Sequence, residues 1–223
     1  NKFRLLVITG IKNSGKTSFL FQLKQKYFKD TLYLNFAHPR FYSFDANDLF
    51  KLDEIIDESG SKTLFFDEVQ KLANWNQFIQ QKLEDGFKIV VTASDAAIFE
   101  NESDTGFTGL NKQLELFPFS FNEFCLYNSF NKNGKSVEKY LKSGGFPVYL
   151  ESGSEEYLNQ LFDDLLIRVI ATKFGVRDLL SFKRLALHLL SNVGMYITGN
   201  QIKSHLGIKT TSTVMEYLNY LEA

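Results

Sequence analysis

Gly10-Ile11-Lys12-Asn13-Ser14-Gly15-Lys16-Thr17 constrains this chain more than any other stretch, because of what flanks it. An apolar run, 3–9, comes before it, and residues 16–27 after it repeat Phe19, Leu20, Leu23 and Tyr27 at helical spacing. Strand, glycine-bearing turn and helix is the context in which a G-x-x-x-x-G-K-[ST] string has a mechanism. The glycines let the backbone curl until successive N–H groups point inward, and the start of the helix adds partial positive charge. Such a cradle takes a phosphate. The pattern assigns Gly10, Lys12, Asn13, Ser14, Gly15, Lys16, Thr17 and Ser18 to nucleotide phosphates, with Lys16 bridging the β- and γ-phosphates and the Thr17 hydroxyl at a Mg2+ position.

The alternation continues. Residues 31–36 read as a second strand, 48–58 as a helix through Leu49, Leu52, Ile55 and Ile56, and 63–66 as a third strand. Trp75, Phe78, Ile79 and Leu83 share one helical face, 88–92 is a fourth strand, and a fifth is expected at 112–116. Short, wholly apolar strands between helices predict a parallel sheet covered by helices on both faces. Beyond about residue 120 the helical period takes over, and residues 201–206, Gly207 and 211–221 outline a helix-turn-helix. The expected architecture is α/β: a P-loop NTPase core over 1–125, a helical linker or lid over 126–180, and a winged-helix-like domain over 181–223. Residues 100–109, rich in Asn, Ser, Asp, Thr and Gly, are expected to be a mobile loop.

Thr63-Leu64-Phe65-Phe66-Asp67-Glu68 supplies the second half of a nucleotide site, an apolar strand ending in two carboxylates where a parallel sheet binds ligands. Asp67 would hold Mg2+ and Glu68 would polarise the attacking water, since a base tied up by the ion cannot also accept a proton. At the end of the fourth strand Thr92, Ser94 and Asp95 place polar groups for sensing the γ-phosphate, although Ser94-Asp95 also reads as a helix cap before Ala96. Lys16, Glu68, Ser94 and Asp95 are thus the expected catalytic set.

These pieces in this order resemble the AAA-type ATP-binding proteins of bacteria and archaea, in which a P-loop domain is followed by a winged helix and then a nuclease-like domain of unknown function. The resemblance is carried by Phe66-Asp67-Glu68-Val69-Gln70 followed by Trp75, by Val91-Thr92-Ala93-Ser94, by the segment from Leu116 to Phe124, by Gly144-Gly145-Phe146-Pro147, and by the stretch from Ser191 to Glu222. It implies adenine rather than guanine as the base, and ATP with Mg2+ as the cofactors. It also implies a further C-terminal domain that is not in this chain, so the sequence reads as a piece of a longer protein. Two departures stand out. The Gly-Arg usual in the family before the proline segment is Gly109-Leu110 here, with Lys112 the nearest cation, and the Gly-Ser usual after the fourth strand is Ala93-Ser94. Arg177, within Phe174-Gly175-Val176-Arg177-Asp178, follows the family's pattern for a nucleotide sensor, or pairs with Asp178 or Asp164.

Composition bounds the partners. With 25 basic against 26 acidic residues the chain has a net charge of -1 and no bulk attraction to nucleic acid or acidic membranes. Residues 211–222 carry no lysine or arginine, while Lys203, His205 and Lys209 flank them and Ser212, Thr213 and Asn219 could read bases. Duplex DNA and a protein surface are therefore both open as partners of the helix-turn-helix, and an oligomer that completes the site is open too. One cysteine, Cys125, and no apolar run of about 18 residues point to a cytoplasmic protein without a membrane span. The functional expectation is Mg2+-dependent ATP hydrolysis that moves C-terminal domains. The alternative is an ATP-loaded DNA- or protein-binding switch with negligible hydrolysis.

Overall fold

The computed structural model describes residues 4–45, 48–94, 99 and 111–222. They divide into two compact units, Asn1–Ser152 and Gly153–Ala223. In the first, five strands form one sheet: β1 (Leu5–Thr9), β2 (Thr31–Asn35), β3 (Thr63–Asp67), β4 (Lys88–Ala93) and β5 (Asn111–Glu115). Their order is β2-β3-β4-β1-β5, and every neighbouring pair is parallel.

Alternation along each central strand sorts its side chains to opposite faces. Leu5, Val7, Leu64, Phe66, Ile89 and Val91 enter one buried cluster with Leu52 and Ile56 of α2 (Leu49–Ser59) and Phe78, Ile79 and Leu83 of α3 (Trp75–Glu84). Ile8, Phe65 and Val90 enter the other, against Leu20 of α1 (Lys16–Tyr27). The sheet is thus covered on both faces, as the apolar strands predict. The fifth strand is the exception to their composition: Asn-Lys-Gln-Leu-Glu is polar because β5 is an edge, paired only with β1, and polar side chains on an edge discourage further pairing.

Parallel pairing brings the C-terminal ends of β1, β3 and β4 to one side of the sheet. The order matters for the site. β4 lies between β1, which feeds the glycine turn, and β3, which ends in Asp67.

Among the described residues, three further α-helices follow the sheet: α4 (Phe121–Tyr127), α5 (Gly134–Ser143) and α6 (Pro147–Ser152). Ser120 and Glu123 form a reciprocal cap at the start of α4, which also carries the buried Cys125. The segment between β5 and α4 is held at Phe119, whose N–H donates to the Gly145 carbonyl at 2.8 Å and whose carbonyl accepts from the Tyr140 hydroxyl at 2.7 Å.

The second unit is helical: α7 (Glu155–Asp163), a π-helical stretch over Asp164–Ala171, α8 (Leu179–Ser191), α9 (Gly199–Leu206) and α10 (Thr211–Glu222). Where the sequence reads as one helical run over 158–173, the chain widens to the π form from Asp164, with the Thr172 hydroxyl donating five residues back to the Ile167 carbonyl. Helices α9 and α10, joined through Gly207, are the expected helix pair. They close on Leu166, Phe182, Leu185, Ile202, Ile208, Val214 and Tyr217. Among the described residues no helix is long and apolar enough to cross a membrane.

Candidate nucleotide site

The turn from β1 to α1 is tight because β5 runs beside it. The Leu116 N–H donates to the Thr9 carbonyl at 2.8 Å, and a Cβ on Gly10, whose φ is 140°, would lie 2.1 Å from the Leu116 carbonyl oxygen. Only glycine passes here. Asn13 also takes a positive φ of 65°, so the backbone curls through the whole string. Helix α1 begins at Lys16 with Gly15 as its N-cap, no side-chain cap and no acidic residue in its first turn. Its first N–H groups, Thr17 and Ser18 among them, therefore lack an intrahelical acceptor and remain donors for an anion. The buried Ser14 Oγ also has no protein partner.

Lys16 is 4% exposed, and its Nζ donates to the carbonyls of Gly10 at 2.9 Å and Ile11 at 3.0 Å and to Ser94 Oγ at 3.1 Å. Burial pushes its ammonium below the ordinary lysine value, while Glu68, 3.6 Å away, and Asp67 pull the other way. Asp67 is fully buried. Its Oδ2 accepts from the Thr17 hydroxyl at 2.8 Å and the Tyr33 hydroxyl at 3.0 Å, and its Oδ1 accepts from the Thr92 hydroxyl. Burial, followed by Asp67, pushes the Tyr33 hydroxyl well above its ordinary value, so it stays protonated and able to donate to Asp67.

Glu68 takes a left-handed backbone conformation, φ 55°, directly after β3, and this turns it away from the strand direction. Its N–H donates to Thr92 Oγ1 at 2.9 Å, and its carboxylate accepts from Ser94 Oγ at 2.8 Å and Gln70 Nε2 at 2.6 Å. Thr92 therefore joins the two acids, one through each of its hydroxyl's roles, because β4 runs between the two halves of the site.

The geometry brings Gly10, Ser14, Gly15, Lys16, Thr17, Asp67, Glu68 and Ser94 together. Lys12 and Ser18 are exposed on the same turn and helix start, and Asn13 is half-buried in it. Asp95 and the loop 100–109 lie outside the described residues. Arg177 is an exposed residue of the second unit, next to the N-cap Asp178 of α8. Tyr33 and Gln70 are partners that sequence reasoning does not assign. Gln70 sits two places after Glu68 in the string itself, whereas Tyr33 is legible only once the register places β2 beside β3.

The donors fit an ATP phosphate chain with Mg2+. An uncapped helix start, an orphaned buried hydroxyl and a buried ammonium match phosphate oxygens, and a hydroxyl–carboxylate pair, Thr17 with Asp67, matches a hard cation. A parallel sheet with this turn and these acids at its C-terminal edge defines a P-loop NTPase-type nucleotide-binding domain.

The family model for the AAA domain matches residues 2–125, and a domain of unknown function matches 134–223. The chain belongs to the AAA domain family. An uncharacterized protein of Methanocaldococcus jannaschii is 31% identical across 98% of this chain and 54% of its own length. One of Haemophilus influenzae is 29% identical across 97% of this chain and 59% of its own. The chain thus spans little more than half the length of these curated relatives. Among solved structures, the Aeropyrum pernix ORC1 protein in complex with DNA is similar at a TM-score of 0.42 and 14% identity, over 100% of this chain and 78% of that one.

Proposed function

We propose that the chain binds ATP with Mg2+ and hydrolyses it, using the change at the γ-phosphate to shift its C-terminal parts. The carrying observation is that Glu68, the acid directly after β3, meets Ser94 at 2.8 Å and the buried Lys16 at 3.6 Å in one half-buried cluster. Lys16 balances phosphate charge, Thr17 and Asp67 hold Mg2+, and Glu68 accepts the proton of the attacking water. Mg2+ there would supply charge neutralisation on the phosphates. Ser94, with Asp95 beyond it, senses the γ-phosphate. The proposed division of labour is a core over 1–125, a helical region over 126–180 and a helix-turn-helix over 181–223 that meets duplex DNA or a protein.

One feature favours the second reading, a nucleotide-loaded switch that hydrolyses slowly. Both Glu68 carboxylate oxygens accept from Ser94 Oγ, at 2.8 Å each, and Gln70 takes one of them as well. Ser94 and Gln70 orient this carboxylate, and a water's proton competes with them for its remaining lone pairs.

Turnover of Mg-ATP by wild type and Glu68→Gln, with and without duplex DNA, separates the two. The hydrolase reading expects the variant to keep ATP affinity and lose turnover by about a hundredfold or more. Equal turnover in both proteins removes Glu68 from the mechanism, and ATP binding without turnover in wild type moves the switch reading ahead. DNA-stimulated turnover names the partner.

A further inference from the structure

Tyr33 stands on β2, a strand that contributes neither to the glycine turn nor to the acid pair, yet its hydroxyl reaches the centre of the site. It donates to Asp67 Oδ2 at 3.0 Å, the oxygen that also accepts from Thr17 at 2.8 Å, while Thr92 donates to Oδ1. An ionised carboxylate offers about four lone-pair positions, so hydroxyls from α1, β2 and β4 fill most of them. The Tyr33 ring is itself fixed, with the Phe21 ring 4.7 Å away and the Leu20–Phe65 cluster beneath it. Each donor comes from a different element, so the carboxylate plane of Asp67 is determined by the sheet and α1 together and cannot turn without breaking a buried hydrogen bond.

We propose that Tyr33 is a positioning residue for the divalent cation: its hydroxyl fixes the orientation of Asp67 toward Thr17 and so sets the affinity of the nucleotide-loaded site for the metal. The proposal rests on the assignment of Mg2+ to Thr17 and Asp67. Hydrogen bonds to a metal-holding carboxylate orient it and tune its donor strength, and losing one lowers metal affinity. The phosphate cradle is built from backbone N–H groups, Lys16 and Ser14, none of which Tyr33 touches through a hydrogen bond, so the effect is confined to the cation.

Tyr33→Phe keeps the ring and its packing on Phe21 and removes only the hydroxyl. Two affinities of the full chain are measured: a fluorescent, non-hydrolysable ATP analogue in excess chelator, and Mn2+ for the analogue-loaded protein by electron paramagnetic resonance. The expected result is analogue affinity within about twofold of wild type and Mn2+ affinity weaker by about tenfold. Equal Mn2+ affinity in the two proteins overturns the proposal and leaves the Thr17–Asp67 assignment standing. Loss of analogue affinity in chelator, in parallel with the metal, also overturns it, because the hydroxyl would then support the fold of the whole site. If loaded wild-type protein recruits no Mn2+ at all, the cation assignment falls, and the role of Tyr33 with it.

Discussion

The two units bury different chemistry. Every buried polar or charged side chain among the described residues lies in the first unit, and Thr9, Ser14, Lys16, Asp67 and Thr92 gather around the glycine turn. The second unit buries Leu161, Leu166, Phe182, Leu185, Ile202, Val214 and Tyr217, and leaves Lys203, His205 and Lys209 exposed. Burying an ammonium and a carboxylate costs stability unless each is well partnered, and partly buried electrostatics are far stronger than exposed ones. The first unit accepts that cost at the site and again at Lys82, which is 6% exposed and paired with Asp53 and Asp85. In the second unit Tyr196 is fully exposed and Val193 is 81% exposed.

Removing the buried charge is the largest way to break this contrast. Lys16→Ala should lower ATP affinity by on the order of a hundredfold or more, measured by calorimetric titration. The thermal midpoint without nucleotide should fall only modestly, because the ammonium's desolvation cost is relieved while Glu68 and Asp67 lose their neighbouring cation. A collapse of that midpoint would make Lys16 a structural residue and erase the difference between the units. The reverse substitution probes the second unit. Leu185→Ala, at a fully buried position, should cost about 2–5 kcal/mol in urea unfolding while leaving ATP affinity alone. Weaker nucleotide binding in that variant would show that the units do not divide their work.

The smallest effect sharpens the comparison within the first unit, away from the site. Ser120→Ala removes the cap of α4 and should cost about 1 kcal/mol. Donation from Ser120 holds the Glu123 carboxyl below the usual glutamate value of 4.5. A carboxyl depressed in the folded state stabilises above its unfolded value, and that contribution fades as pH falls through the folded one. The gap between wild type and Ser120→Ala in denaturant midpoint should therefore be full at pH 7 and narrow toward pH 3.

Much of this was legible in the sequence, for particular reasons. The glycine turn and the Asp67-Glu68 pair could be read because each is local: a string of backbone demands for the one, a strand end for the other. The helical cover on both faces followed from strands apolar at every position. The polar edge strand was harder to read, since Asn111 to Glu115 has no apolar run and gains its place only by pairing with β1. Tyr33 escaped for a related reason. Its partner lies on another strand, and only the register that sets Asn35 beside Asp67 brings the hydroxyl within reach. Thr92 was legible as a polar group at the end of the fourth strand, but its bridge from one acid to the other depends on β4 lying between β3 and β1, an order no spacing reveals.

The segment from Leu116 to Phe119 carries a further consequence. At one end its Leu116 carbonyl lies where a Cβ on Gly10 would go, and at the other its Phe119 carbonyl lies where a Cβ on Gly145 would go, each at 2.1 Å. Two glycines far apart in the sequence thus press on one short peptide. A side chain at either would push that peptide, and once it has moved the penalty at the other position is no longer the same, so the two effects should not add. The history of such positions is conditional: what either glycine can become is decided by what the other has already done, which is epistasis written in backbone contacts.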